Sequence, residues 1–124
     1  MEDFVPFKLA VKLEEKGFSC EYPFAMYNED GLFFPLYSSD KYYYGIEDFD
    51  KNDYIAPTIS QVLKWLREEK KIHLELVIVV DGEYMCDIYK IDVRPIKYLG
   101  STEYSKTYEA AALSGIEYVL DNLL

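Results

Sequence analysis

Two apolar runs on either side of Asp81-Gly82 constrain this chain more than any other feature. His73 to Val80 and Tyr84 to Val93 are rich in Val, Ile, Leu and Tyr, residues that suit a pleated strand. Asp-Gly between two such runs signals a two-residue hairpin turn. That turn predicts a register with Val79 opposite Tyr84, Val77 opposite Cys86 and Leu76 opposite Asp87. Both faces of the ribbon then carry large apolar groups. Such a hairpin must lie within a sheet or offer one face to a partner. Glu75 and Asp81 bracket the stickiest part, where charges limit strand-to-strand aggregation.

The rest of the chain supplies what could cover this hairpin. Phe7 to Gly17 reads as a helix, with Pro6 suited to its first turn and Gly17 to its end. Phe7, Ala10, Val11 and Leu13 form its broad apolar face. Tyr22 to Tyr27 and Leu32 to Tyr37 flank Asn28-Glu29-Asp30-Gly31, which is turn chemistry, so a second hairpin is predicted. Pro23 and Pro35 suggest edge positions or strand ends. Tyr42-Tyr43-Tyr44 reads as a short strand, and Glu47 to Asp53 as an acidic loop.

A second helix is predicted across Ala56-Pro57-Thr58-Ile59-Ser60-Gln61-Val62-Leu63-Lys64-Trp65-Leu66-Arg67-Glu68-Glu69-Lys70. Thr58 and Gln61 have the spacing of a capping box. Ile59, Val62, Leu63 and Leu66 make an apolar stripe, with Gln61 and Trp65 beside it. Lys70 and Lys71 stand where positive charge complements the helix dipole. After Pro95 a loop through Gly100-Ser101-Thr102 leads to a last helix starting near Thr107. Its buried face is predicted as Ala112, Ile116, Val119, Leu120 and Leu123, and its wet face as Ala110, Ser114, Glu117 and Asp121. The order of elements predicts one α+β domain over residues 1–124. Two hairpins and a short strand form an antiparallel sheet, with three helices mostly on one face.

Composition narrows the function. The net charge is -10, which disfavours nucleic acid and anionic membrane surfaces as partners. The chain opens Met1-Glu2-Asp3-Phe4 without a basic or apolar leader, and its longest hydrophobic run is Leu76 to Val80. A cytoplasmic location without a membrane span is therefore expected. Cys20 and Cys86 form no CxxC pair and are expected to be reduced thiols.

Each candidate for chemistry has a plainer reading. Trp65 could serve as a ring platform, with Gln61 and Arg67 as polar contacts, or the three could simply build a capped helix. Tyr42 and Tyr44 share one strand face and could stack on a ligand, or cover a thin core. Asp48 to Asp53 follows the opening of a calcium loop. The loop's sixth and twelfth positions, which need Gly and Glu, hold Asp53 and Ile59, so an ordinary acidic loop is expected. Cys20, His73 and Cys86 lack the spacing of a zinc site or a nucleophile pair. Asp87, in an apolar strand, and Glu14, near an apolar helix arc, are carboxylates whose burial would mark a site. No catalytic residue, metal site or cofactor is assigned.

The residues also resemble a known family. Gly17-Phe18, Glu29-Asp30-Gly31, Ala56-Pro57-Thr58, Gln61, Trp65, Arg67-Glu68 and Thr107-Tyr108-Glu109 follow its pattern over nearly the whole chain. The family comprises small proteins of no assigned activity, common in gut Bacteroidetes genomes and in their phages and prophages. Lys70 lies one residue beyond the family's usual lysine, and Ala111 and Ala112 stand where an acidic residue is common. The resemblance implies a shared fold and a mobile-element context, and no activity.

The expected function is thus a small, acidic, non-enzymatic accessory protein that binds a host protein or a second copy of itself. The alternative is a small-ligand module with Tyr42, Tyr44 and Trp65 around a pocket. An enzyme using paired carboxylates is the third reading.

Overall fold

The computed structural model describes residues 3–20, 23–35 and 52–124. Tyr42, Tyr44 and the strand expected at 42–44 lie outside the described residues, as does most of the acidic loop at 47–53. The described chain is α+β, as the order of elements predicts, with three α-helices and two antiparallel three-stranded sheets among the described residues. It divides into two compact units, Met1–Thr58 and Ile59–Leu124.

In the first unit, α1 spans Phe7–Glu15. Its end is set locally. Gly17 adopts φ +87, the Phe18 amide donates to Leu13 O at 2.9 Å, and the Gly17 amide donates to Glu14 O at 3.0 Å. This is a Schellman motif, and Phe18 and Leu13 supply its usual apolar contact positions, both buried. Strands β1 (Ala25–Tyr27), β2 (Phe33–Pro35) and β3 (Tyr54–Ile55) form a sheet with β1 in the centre. Pro35 sits on the edge strand β2, where its missing N–H leaves no ladder bond unmade. The Asn28 side chain closes the turn by accepting from the amides of Asp30 at 2.9 Å and Leu32 at 3.0 Å. Rings fill the space around β1. Tyr27 lies edge-on to Phe7 at 5.4 Å and to Phe33 at 5.7 Å, and its buried hydroxyl donates to Val5 O at 2.6 Å.

In the second unit, α2 (Ile59–Glu69) leads into β4 (Ile72–Ile78), β5 (Tyr84–Lys90), β6 (Lys97–Ser101) and α3 (Tyr108–Asn122). Strand β5 is central. Thr107 caps α3, its Oγ1 accepting from the Ala110 amide at 3.0 Å. Four of the five residues predicted for the buried face of α3, Ala112, Ile116, Val119 and Leu120, are buried, while Leu123, at the end of the helix, is only half-buried; Ala110, Ser114, Glu117 and Asp121 are exposed as predicted.

The β4–β5 register differs from the sequence expectation by one residue. Leu76 opposes Cys86, Val77 opposes Met85 and Ile78 opposes Tyr84. The cause is the turn. Three residues, Val80 to Gly82, form the loop, closed by the Val79 amide donating to Glu83 O at 2.8 Å. Asp81 (φ 65) and Gly82 (φ 71) both adopt left-handed conformations. Because side chains alternate, one residue of slip reassigns every partner. The adopted register gathers Ile72, Leu74, Leu76, Cys86 and Ile88 on one face, which α3 covers. Residues 97–101, expected in a loop, form the edge strand β6 instead, with a register shift between Ile88 and Tyr89.

Candidate functional site

Helix α2 carries Gln61, Trp65 and Arg67. Trp65 is buried, at 8 % exposure, and belongs to the packed face with Ile59, Val62 and Leu66; Leu63, expected in the apolar stripe, is only half-buried. The Lys70 ammonium lies over the indole, 5.3 Å from its centroid. One face of the ring is therefore already in contact with a cation. Gln61 is half-buried one turn earlier, while Arg67 is exposed. Two residues of helix turn a side chain by about 200°, so Arg67 points away from Trp65. The lysines at the end of the helix divide their roles. Lys71 Nζ donates to Glu68 O at 2.7 Å, and Lys90 Nζ, from β5, donates to Lys70 O at 3.1 Å. Both ammoniums meet the negative end of the helix dipole.

The second sheet presents two unlike faces. On the covered face, the Cys86 thiol is fully buried, and burial, reinforced by the nearby Asp87 carboxylate, pushes it up to about 12. A thiol held protonated and out of solvent is a packing group rather than a nucleophile. His73 and Cys86 stand on opposite faces, since His73 pairs with Tyr89 and Cys86 with Leu76. No Cys–His pair forms between them.

The other face holds His73, Glu75, Met85, Asp87, Tyr89, Tyr98 and Ser101. Glu75 opposes Asp87, Asp87 opposes Ser101, and Tyr89 opposes Tyr98, with ring centroids 5.7 Å apart. Ser101 Oγ donates to Asp87 Oδ1 at 2.5 Å, and the Tyr98 hydroxyl shares a hydrogen bond with Ser101 Oγ. Asp87 is half-buried. Its interaction with Ser101 offsets part of the repulsion expected between two carboxylates directly across a ladder. Partial burial, then the charges of Asp87 and Glu75 and the neighbouring Tyr98, hold the Tyr89 phenol above its ordinary range. This row can present phenols and a carboxylate to a ligand. Ser101 Oγ is held between the Asp87 carboxylate and the Tyr98 hydroxyl.

Glu14 is exposed and borders two hollows, one with Glu15, Asn52 and Tyr54 and the other with Phe18, Asp53 and Ile55. Its carboxyl stays in water. Neither Cys20 nor Cys86 forms a disulfide, and no group of three metal-ligating side chains is assembled among the described residues. No helix among the described residues is long and apolar enough to cross a membrane.

The feature that sequence reasoning missed lies at the β4–β5 turn. Ile78 is 70 % exposed and Val80 is 78 % exposed. Ile78 opposes Tyr84, whose ring stands edge-on to Tyr108 at 6.2 Å, and Tyr108 is itself exposed. In sequence, Ile78 and Val80 fall in the apolar run that ends a strand, and the run alone does not mark which of its residues face solvent. Tyr98 and Ser101 were missed because Gly100-Ser101-Thr102 reads as loop. The alternation through Lys97-Tyr98-Leu99 was the available signal for a strand. No family model, no curated protein and no solved structure matches this chain.

Proposed function

We propose that this chain is a non-enzymatic accessory protein of phage or mobile-element type that acts in the cytoplasm by binding another protein or a second copy of itself. The observation that carries this reading is exposed Ile78, across the ladder from Tyr84 and its ring neighbour Tyr108, with exposed Val80 in the adjoining turn. Single exposed aliphatic residues are ordinary on protein surfaces. Two of them close together in the chain, one directly across the ladder from a tyrosine that meets a second ring, have the make-up of an interface core. The catalytic candidates do not compete well with this. Cys86 is buried and protonated, His73 lies across the sheet from it, and Glu14 is solvated.

The test compares wild type with an Ile78→Ser, Val80→Ser double variant in two measurements. One is sedimentation velocity over a range of concentrations. The other is affinity capture from a host lysate. The expected result is a self-associated species or a discrete captured protein that the variant loses while retaining its circular dichroism spectrum. Identical behaviour of both proteins in both measurements would remove the reading's support.

A further inference from the structure

We propose that the β4–β5 turn patch docks a basic, amphipathic protein segment rather than a second copy of this chain. The proposal rests on the interaction reading above and names the partner's chemistry.

The patch continues the covered face of the sheet past the end of its cover. Helix α3 begins at Tyr108, and its first ring meets Tyr84. Farther along the helix, Gly115 packs on Cys86 and Leu74. Ile78, across the ladder from Tyr84, and Val80 in the turn remain in water. The surface is also held in place. Tyr84 and Ser105 exchange backbone hydrogen bonds of 2.8 and 2.7 Å, and Val79 and Glu83 close the turn at 2.8 Å. A surface fixed in advance loses little conformational freedom when it is covered.

Charge selects the occupant. Asp81 in the turn and Glu103 and Glu109 in the segments flanking Tyr108 stand in the chain that builds the patch, against the ammonium of Lys106. A second copy would bring the same carboxylates up to these, and both chains carry a net charge of -10. Like-charge juxtaposition disfavours that pairing. A segment alternating Lys or Arg with Leu or Ile answers both features. Its aliphatic side chains cover Ile78, Val80 and the two rings, and its cations answer the exposed carboxylates of Asp81 and Glu109.

The probe is a synthetic amphipathic helix of Leu and Lys, titrated into the full chain by calorimetry. Three proteins are compared with wild type: Ile78→Ser with Val80→Ser; Asp81→Asn with Glu109→Gln; and Glu29→Gln with Asp30→Asn. The last pair removes the same charge from a turn in the other unit. The expected result is that each patch variant weakens binding about tenfold or more, while the Glu29 and Asp30 variant stays within about twofold of wild type. Equal weakening by both charge variants, with no effect of the aliphatic ones, would overturn the proposal by reducing it to nonspecific attraction to an acidic protein. No peptide binding together with self-association that Ile78→Ser, Val80→Ser abolishes would overturn it too, while leaving the interaction reading standing. Failure of both peptide binding and self-association overturns the proposal, and the capture experiment above then decides the broader reading.

Discussion

A β-carbon on Gly115 would stand 2.5 Å from Cys86 Sγ and 2.9 Å from Leu74 Cδ2. The backbone of α3 thus rests on the sheet at a point where only glycine fits. In an exposed helix, Gly→Ala gains about 1 kcal/mol. Here that gain opposes an overpacking cost of about 1–3 kcal/mol. Gly115→Ala is therefore expected to lower stability in thermal or urea unfolding. Adding Cys86→Ala should recover part of the loss, because the nearest clashing atom is gone. A neutral or stabilising Gly115→Ala would show that the helix can lift off the sheet at little cost.

Gly82 provides the opposite case. Nothing lies within 4 Å of a β-carbon there, and the constraint is φ +71 alone. Gly82→Ala should cost about 1 kcal/mol from the left-handed backbone, and Gly82→Asn less, since Asn tolerates that region. Equal costs for Ala and Asn in urea unfolding would assign the effect to something other than backbone conformation.

The Cys86 thiol makes stability depend on alkaline pH. Its value in the folded chain, about 12, lies above the ordinary 9, so the folded state retains a proton that the unfolded state releases. The stabilisation is complete below about pH 9 and is lost as pH rises toward about 12. Urea midpoints measured from pH 8 to 11 should fall, and Cys86→Ala should flatten part of that fall. A thiol reagent at pH 8 should leave Cys86 unmodified in the native chain and modify it in denaturant. Rapid native labelling at Cys86 would contradict its burial.

Thr107→Ala removes the acceptor that the Ala110 amide uses at 3.0 Å. The expected loss is about 1 kcal/mol, and Thr107→Ser or Thr107→Asp should retain most of the stability. The check is the ranking of the three variants by thermal midpoint.

Asp87→Asn should lower the Tyr89 phenol toward its ordinary range, since the carboxylate is the first electrostatic contributor after burial. Ultraviolet difference titration of wild type against the variant reads this directly, with Tyr89→Phe identifying the transition. An unchanged titration would mean that the Asp87 charge does not contribute to raising the phenol.

Features that depend on near neighbours were legible along the chain. The Gly17 terminus of α1, the Thr107 start of α3, the buried stripe of α3 and the closure of the first hairpin by Asn28 and Gly31 each involve groups within about five residues of one another. Their hydrogen bonds and periodicities are written into short stretches of chain. Features that depend on distant partners emerged only on folding. The three-residue loop after Val79 set the β4–β5 register, and with it the separation of His73 from Cys86. Strand β6 formed because β5 offered an unpaired edge, which brought Ser101 to Asp87. Trp65 became a packed residue under Lys70, and Lys90 reached across from β5 to the end of α2. None of these could be read locally, because alternation along a strand says which residues share a face but not which strand, or which register, will meet it.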